Sequence, residues 1–213
     1  MLRREQDRLL QTMENLTDNE LMMLAKEGSE EAFAVVIDRH KSGVTGFIFR
    51  MLGNYEDAVD LAQESFVRIF LAMNRYRSDH AFSTYLYRIA SNLAISELRK
   101  RKRRRLISLT WVRSGGDSEE EFEMPIASTD AGPEIDVVEE ERRVAIEKAV
   151  MSLPERYRAP IILRDINDLS YEEVAESLGL GIGTTKSRIS RGRAILREKL
   201  AGYIIGNSDG KND

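Results

Sequence analysis

Residues 169–200, LSYEEVAESLGLGIGTTKSRISRGRAILREKL, predict two helices joined by a glycine turn. Ser170, followed three residues later by Glu173, has the pattern of a capping box at the start of the first helix. Glycines within 179–181 interrupt that helix, and the second helix is predicted to run from about residue 184 to residue 200. Two helices with a short glycine turn are typical of a helix-turn-helix.

The second of these helices has two different faces. At helical spacing, one face is apolar or small and comprises Thr185, Ile189, Gly192, Leu196 and Leu200. The small Thr185 and Gly192 predict close packing against the first helix. The other face carries donors that suit phosphates and base edges. The predicted DNA-contacting residues are Thr184, Lys186, Ser187, Arg188, Ser190 and Arg191. For this segment alone the alternative is a solvated face, with Arg188 and Arg191 paired to nearby acids.

Composition limits the possible classes of protein. The chain has 213 residues, of which 42% are hydrophobic and four are proline, and its apolar residues recur at helical spacing. We therefore predict an all-α protein. There is no cysteine, which excludes disulfides, thiolate metal sites and a cysteine nucleophile, and we expect no metal and no other cofactor. The sequence has no apolar run long enough to cross a bilayer and no signal-peptide pattern, so we expect a cytoplasmic protein without membrane insertion.

The net charge of -4 hides a strong segregation of charge along the chain. Residues 114–141 hold eleven acidic residues and neither Lys nor Arg, whereas residues 99–105 are seven consecutive cations. Residues 186–199 carry six cations and one acid. Two basic segments separated by an acidic one indicate two nucleic-acid contacts on one chain.

These patterns divide the chain into two small helical domains joined by a flexible acidic linker. The first domain is predicted over residues 17–105, with helices that start at Thr17 and at residues 30, 55 and 82. The linker is predicted over residues 106–138, and the second domain over residues 139–205.

The helix predicted from Tyr55 to Met73 has a polar side that suggests docking to another protein. Its buried stripe comprises Val59, Ala62, Phe66, Ile69 and Met73. Another side carries Asp60, Gln63, Glu64 and the apolar Val67, and the predicted docking residues on it are Asp60, Gln63 and Glu64. The alternative is an ordinary solvated face.

The last helix of the first domain, predicted over residues 82–105, combines an aromatic ring, an amide and cations. Its core residues are predicted to be Leu86, Ile89, Ala90 and Leu93. The opposite face offers Tyr85, Arg88 and Asn92, followed by the basic run. Such groups can stack on unpaired bases and bond to them. The alternative is that the tyrosine is a core-edge residue and the cations are a solvated helix end.

Taken together and in order, three segments resemble the extracytoplasmic-function (ECF) family of bacterial sigma factors. DLAQESFVRIF at 60–70 is similar to region 2.2, and FSTYLYRIASNLAISELRKR at 82–101 is similar to regions 2.3 and 2.4. Residues 153–200, LPERYRAPIILRDINDLSYEEVAESLGLGIGTTKSRISRGRAILREKL, resemble region 4. The chain departs from the common pattern at Tyr85, where the family often has Trp, and at Thr185, where Val is common.

The resemblance implies an alternative sigma factor that directs core RNA polymerase to promoters. The residues of this chain that would contact the β′ clamp helices of the polymerase are Asp60, Gln63 and Glu64. The residues implied for the −10 element are Tyr76, Arg77, Tyr85, Arg88, Asn92 and Arg99, with Asn92 holding a flipped base. Region 4 would read the −35 element in the major groove. The implied partners are core RNA polymerase, including its β subunit, promoter DNA and an anti-sigma factor.

The sequence is open to three other interpretations. An enzyme with a phosphate-binding loop at GLGIGTTKS is disfavoured, because Thr185 stands where that loop needs glycine before Lys186. The chain is therefore predicted not to be an enzyme. A stand-alone helix-turn-helix regulator is the alternative function, and a sigma-factor mimic that binds protein without DNA is the third.

Overall fold

The structure is a computed structural model that describes residues 13–112 and 137–205, and the side chains of residues 13–106 and 141–201. All regular structure within those ranges is helical, which confirms the predicted all-α class. The helices are α1 (Asp18–Lys26), α2 (Glu30–Leu52), α3 (Tyr55–Leu71), α4 (Phe82–Val112), α5 (Val137–Met151), α6 (Glu155–Ile161), α7 (Tyr171–Leu178) and α8 (Ile182–Ile205). No described helix is long and apolar enough to cross a membrane.

The helix boundaries follow capping residues that the sequence shows directly. Thr17 and Glu20 form a reciprocal capping box at the start of α1, and the Ser29 side chain accepts from the backbone of Ala32 at the start of α2. Helix α2 ends at Gly53, whose φ of 77° lies in the left-handed region that favours glycine. These boundaries agree with the predicted ones.

The core of the first half lies between α2, α3 and α4. Phe47, Ile48, Met51, Ile69 and Leu86 are fully buried there. The apolar stripe predicted on α3 is present: Ala62, Phe66 and Ile69 are buried, and the helix gives way after Leu71 to a 3₁₀ turn at Met73–Arg75. The stripe therefore turns the polar side of α3 outward.

Helix α4 continues to Val112, seven residues beyond its predicted end at Arg105. No glycine or proline interrupts the chain before Gly115, so nothing in the local sequence stops the helix at the basic run. Residues 113–136, which form most of the predicted acidic linker, lie outside the described residues.

The second half contains one element that periodicity did not predict. After α6, residues Ile162–Ile166 form a π turn, in which the Asn167 amide donates to the Ile162 carbonyl. Pro160 lies in the preceding helix and lacks an amide hydrogen. Helix α7 then begins at Ser170 with the predicted capping box, which Glu173 completes.

The recognition-type helix α8 packs differently from the sequence expectation. A Cβ atom at Gly192 would lie 2.6 Å from Ile161 Cγ1, so the close approach is to α6, whereas the sequence suggested α7. Thr185 is fully buried, and its hydroxyl donates to the Gly181 carbonyl over 3.2 Å. The helix begins at Ile182, two residues before the predicted start.

The two halves contact each other through α4 and α7. The buried Ser177 hydroxyl donates to the Thr84 carbonyl over 3.2 Å, and Asn167 Nδ2 donates to the Tyr87 hydroxyl over 2.8 Å. Arg158 Nη1 also donates to the Met51 carbonyl over 2.7 Å. One side of α4 is thus covered by the second half, and the exposed Arg88 and Asn92 lie beside the covered side.

Candidate functional site

The outer face of α8 presents the predicted DNA-contacting residues together. Five of the six are exposed and Arg188 is half-buried, while Thr185 and Ile189 on the inner face are buried. The exposed members of this group are Thr184, Lys186, Ser187, Ser190 and Arg191. The arrangement gives one helix a buried apolar back and a front of hydroxyls and cations, which suits insertion into a major groove.

Neighbouring residues hold this face in place. Arg193 binds Asp165 through two hydrogen bonds, Nε to Oδ2 over 3.1 Å and Nη2 to Oδ1 over 2.5 Å. The carboxylate raises the pKa of Arg193 further above its ordinary value. A bidentate pair of this kind ties α8 to the π turn that follows α6 and engages this arginine within the protein.

Two cations of the outer face lie near tyrosines. Lys186 Nζ is 5.8 Å from the centroid of the Tyr171 ring. The Arg191 guanidinium lies near the Tyr157 hydroxyl and lowers the pKa of Tyr157. The pairing of Arg191 with an acid, considered from sequence, is replaced in the structure by this tyrosine contact.

A second polar face follows α4. Arg88, Asn92 and Arg99 are exposed and separated by four and seven residues, so they lie on one side of the helix. Tyr85, one turn earlier, is half-buried, and its ring centroid is 5.7 Å from that of Tyr76. An aromatic edge, an amide and cations are thus aligned in the order that the sequence predicted.

Tyr76 differs from the other residues predicted for this face. Its side chain is only 4% exposed, and its hydroxyl donates to Asn19 Oδ1 over 2.5 Å. Burial, with the Asp18 carboxylate nearby, raises the pKa of Tyr76 to about 12, so the phenol keeps the proton that it donates. The ring is not accessible for stacking on a base in this structure. Arg77, by contrast, is exposed and forms an ion pair with Asp79 over 3.2 Å.

The basic run at 99–105 is not uniform. Arg101 is half-buried, forms ion pairs with Asp57 and Glu97, and donates to the Leu52 carbonyl over 3.1 Å. Lys102, Arg103 and Arg104 are exposed. The sequence could not separate these roles, because Asp57 lies 44 residues away from Arg101.

The predicted docking residues on α3 are exposed, and an apolar patch adjoins them. Asp60, Gln63 and Glu64 face outward, with Glu64 bound to Arg68 over 2.6 Å. The members of the apolar patch are Val67 at 55% exposure, Phe70 at 53% and Leu71 at 78%. The sequence placed Val67 on this side, whereas Phe70 and Leu71 were not predicted to belong to it. Large apolar side chains that are adjacent and exposed mark a surface for binding another protein. A signal existed, since all three lie outside the predicted buried stripe.

Comparisons with known proteins agree with this organisation. Residues 36–104 match the family Sigma-70 region 2, and residues 143–196 match Sigma-70, region 4. The ECF RNA polymerase sigma factor SigW of Bacillus subtilis is 37% identical over 175 residues, which are 82% of this chain and 92% of that protein. The chain belongs to the ECF family of RNA polymerase sigma factors.

This sigma factor is also similar to relatives from other bacteria. The ECF RNA polymerase sigma-E factor of Salmonella typhimurium LT2 is 35% identical over 197 residues, covering 90% of this chain and 98% of that protein. Among solved structures, RpoE in its complex with the anti-sigma factor NepR from Bartonella quintana has a TM-score of 0.62 and 25% identity, covering 79% of this chain and 96% of that one. CnrH in complex with the cytosolic domain of CnrY also has a TM-score of 0.62, at 24% identity, and shares the fold over 87% of this chain and 97% of that one.

Family membership determines the class of activity. This sigma factor is an alternative initiation factor that directs RNA polymerase to promoters, and its family is not a class of enzymes. Within residues 13–112 and 137–205, no group of His, Asp and Glu is placed to hold a metal ion.

Proposed function

We propose that this sigma factor reads both promoter elements with the two polar faces described above and docks on core polymerase through α3. The observation that carries the proposal is the shared orientation of the matched residues, since both polar faces lie opposite buried apolar ones. In this assignment residues 17–105 form region 2, residues 139–205 form region 4, and residues 106–138 link them.

The −35 element is read by α8. Lys186, Ser187 and Arg191 contact phosphates and base edges in the major groove, with Thr184, Arg188 and Ser190 at the margins of the contact. Arg193 contributes indirectly, because its carboxylate pair orients the helix. Because many of these contacts are to phosphates, affinity falls as salt concentration rises.

The −10 element is read by α4 and the loop at 76–81. Asn92 bonds to the edge of a base flipped out of the non-template strand, and Tyr85 stacks on a neighbouring base. Arg77, Arg88 and Arg99 hold the backbone, and their charge offsets the few kcal/mol that unstacking costs. Tyr76 is buried and supports the loop by packing, without contact with DNA.

Docking on the polymerase β′ clamp helices uses Asp60, Gln63 and Glu64 at its polar edge. The exposed Val67, Phe70 and Leu71 supply apolar area beside them. Polar groups at the edge and apolar groups at the centre are the usual composition of a specific protein interface.

The same surfaces suggest a regulatory partner and a cellular location. RpoE, which is similar in fold, is bound by an anti-sigma factor, and we propose that an anti-sigma factor also binds this chain. Because its proposed targets are core polymerase and promoter DNA, this chain acts in the cytoplasm.

The test is transcription in vitro with purified bacterial core polymerase on a fragmented genomic library, with and without the protein. New transcript starts that share two upstream motifs would support the proposal. DNA binding without new starts would instead identify a stand-alone regulator, and neither activity would identify an interaction mimic.

Two variants then test the residue assignments on a promoter found in this way. Arg191→Ala should weaken the free energy of binding to the −35 element by about 1–3 kcal/mol, which is the contribution of one good base contact. Lys199→Ala, which removes the same charge about 12 Å further along α8, is the control and should change −35 binding little. Asn92→Ala should spare the closed complex and impair melting; an equal loss at both steps would contradict the flipped-base role.

A further inference from the structure

The loop at 76–81, which the proposed function assigns to −10 reading, has little support of its own. Residues 77–81 are all exposed, and the segment forms only a turn between the 3₁₀ turn and α4. A loop that takes part in −10 reading must hold a defined shape before DNA arrives, since ordering it on binding would cost affinity. Its support therefore has to come from another part of the chain.

Part of that support comes from α7, where Glu176 Oε2 lies 3.2 Å from His80 Nδ1. The contacts that join the two ends of the loop come from one side chain on α1. Asn19 Oδ1 accepts from the Tyr76 hydroxyl over 2.5 Å, at the start of the loop. Asn19 Nδ2 donates to the carbonyl of His80 over 3.3 Å and to that of Ser78 over 3.5 Å. One amide thus holds both ends of the loop, using its acceptor and its donor group at once.

The amide is itself held in a fixed position. Asn19 lies in the first turn of α1, whose start is fixed by the Thr17–Glu20 capping box. The preceding Asp18 binds Arg39 over 2.9 Å and His40 over 2.6 Å. These contacts tie the first turn of α1 to α2, so the amide has a rigid base from which to hold the loop.

The contact also extends to the face of α4. The Tyr76 ring, oriented by Asn19, has its centroid 6.2 Å from that of Phe82 and 5.7 Å from that of Tyr85. Lys26, at the other end of α1, donates to the Tyr76 carbonyl over 3.4 Å. Helix α1 therefore holds the loop and the aromatic edge as one unit.

We propose that Asn19 is a positioning residue that fixes the 76–81 loop in the shape needed to discriminate −10 bases. This inference rests on the proposed function, because the loop must be part of the −10 reading surface. It assigns to α1 a part in promoter selectivity without contact with DNA.

The informative variant is Asn19→Asp, which keeps the size of the side chain and the bond to Tyr76. It replaces the Nδ2 group, which donates both bonds, by a carboxylate oxygen that faces the carbonyls of Ser78 and His80. An acid in the first turn of a helix is favourable, so the variant does not weaken α1 itself. Tyr76→Phe is the complementary variant, since it removes only the hydroxyl bond. Glu27→Gln, a one-charge change at the end of the same helix, is the control.

The measurement is binding of the assembled holoenzyme to non-template-strand oligonucleotides that cover the −10 element of a promoter found by transcription, and to its single-base variants. The ratio of cognate to variant affinity should fall about fivefold in Asn19→Asp, the value of one net hydrogen bond, and remain unchanged in the control. Affinity for core polymerase and for a −35 duplex should stay unchanged, which separates positioning from a loss of folding.

Three results would overturn the inference. An unchanged ratio in Asn19→Asp would show that the loop does not depend on this amide. An equal loss of affinity for all oligonucleotides, together with weaker −35 and core binding, would show a general structural role. If wild-type holoenzyme itself failed to discriminate −10 bases, the proposed function would fall first, and the role of Asn19 with it.

Discussion

The close approach of Gly192 to Ile161 makes Gly192→Ala a direct test of how α8 is seated. The added Cβ would lie 2.6 Å from Ile161 Cγ1, 3.0 Å from its Cδ1 and 3.5 Å from Tyr157 Cβ. Carbon atoms pack best at about 3.5–4.0 Å, so the first contact overlaps by about 1 Å. Ile161 is 1% exposed and follows Pro160 in a short helix, which restricts its movement.

Two effects of opposite sign set the magnitude. Overpacking a core typically costs about 1–3 kcal/mol. Replacing glycine by alanine inside a helix stabilises the folded protein by about 1 kcal/mol. A net loss of about 1 kcal/mol remains, which lowers the melting temperature by about 2–4 °C for a chain of this length. Because α8 must also shift away from α6, −35 affinity should fall as well.

Gly183→Ala is the matched control, since it makes the same change in the same helix with no atom within 4 Å of the new Cβ. Thermal unfolding followed by circular dichroism should show this variant at or above the wild-type melting temperature. Binding to a −35 duplex by fluorescence anisotropy should separate Gly192→Ala from wild type. A Gly192→Ala protein as stable as wild type, or a Gly183→Ala protein equally destabilised, would refute the packing argument.

Three further predictions concern charge and docking. The hydrogen bond from His40 lowers the pKa of Asp18, so its contribution to stability is present above about pH 4, the ordinary carboxyl range, and is lost as pH falls through the lowered value. In Asp18→Asn the free energy of unfolding, measured with urea between pH 7 and 3, should therefore fall less steeply as pH decreases. An unchanged pH profile would contradict this. Arg101→Ala should lower the free energy of unfolding by about 2 kcal/mol, because it breaks charged hydrogen bonds; Arg104→Ala should leave stability unchanged and reduce the slope of log affinity against log salt by about 1. Leu71→Ser should weaken core-polymerase binding about tenfold in a competition assay, from the loss of one buried leucine, with unchanged thermal stability of the free protein; unchanged affinity would remove the apolar patch from the docking surface.

The parts of the fold that the sequence predicted are those set by local chemistry. Thr17 and Ser170 mark helix starts because their side chains satisfy amides three residues away, and Gly53 ends a helix because of its backbone freedom. The outer face of α8 was predictable for the same reason, since helical spacing alone separates Arg191 from Ile189.

The parts that sequence could not predict depend on residues distant in the chain. Asn19 reads as an ordinary first-turn residue, and its role appears only when α1 is brought against Tyr76, 57 residues later. Arg101 reads as one cation among seven until Asp57 is placed beside it. The spacing of apolar residues along α8 also could not show whether Gly192 packs against α6 or α7, because both helices precede α8 and both carry apolar residues.

The contact between α4 and α7 has a thermodynamic consequence. Ser177 and Asn167 bond to Thr84 and Tyr87 on the same helix that carries Arg88. Movement of the second half away from α4 breaks these bonds, so the first ligand that prefers the separated arrangement binds less tightly by their free energy. A second ligand with the same preference then binds without that cost, and the gain is equal whichever ligand comes first. For two ligands that both prefer the separated arrangement, occupancy at one half of the chain and occupancy at the other are therefore reciprocally linked.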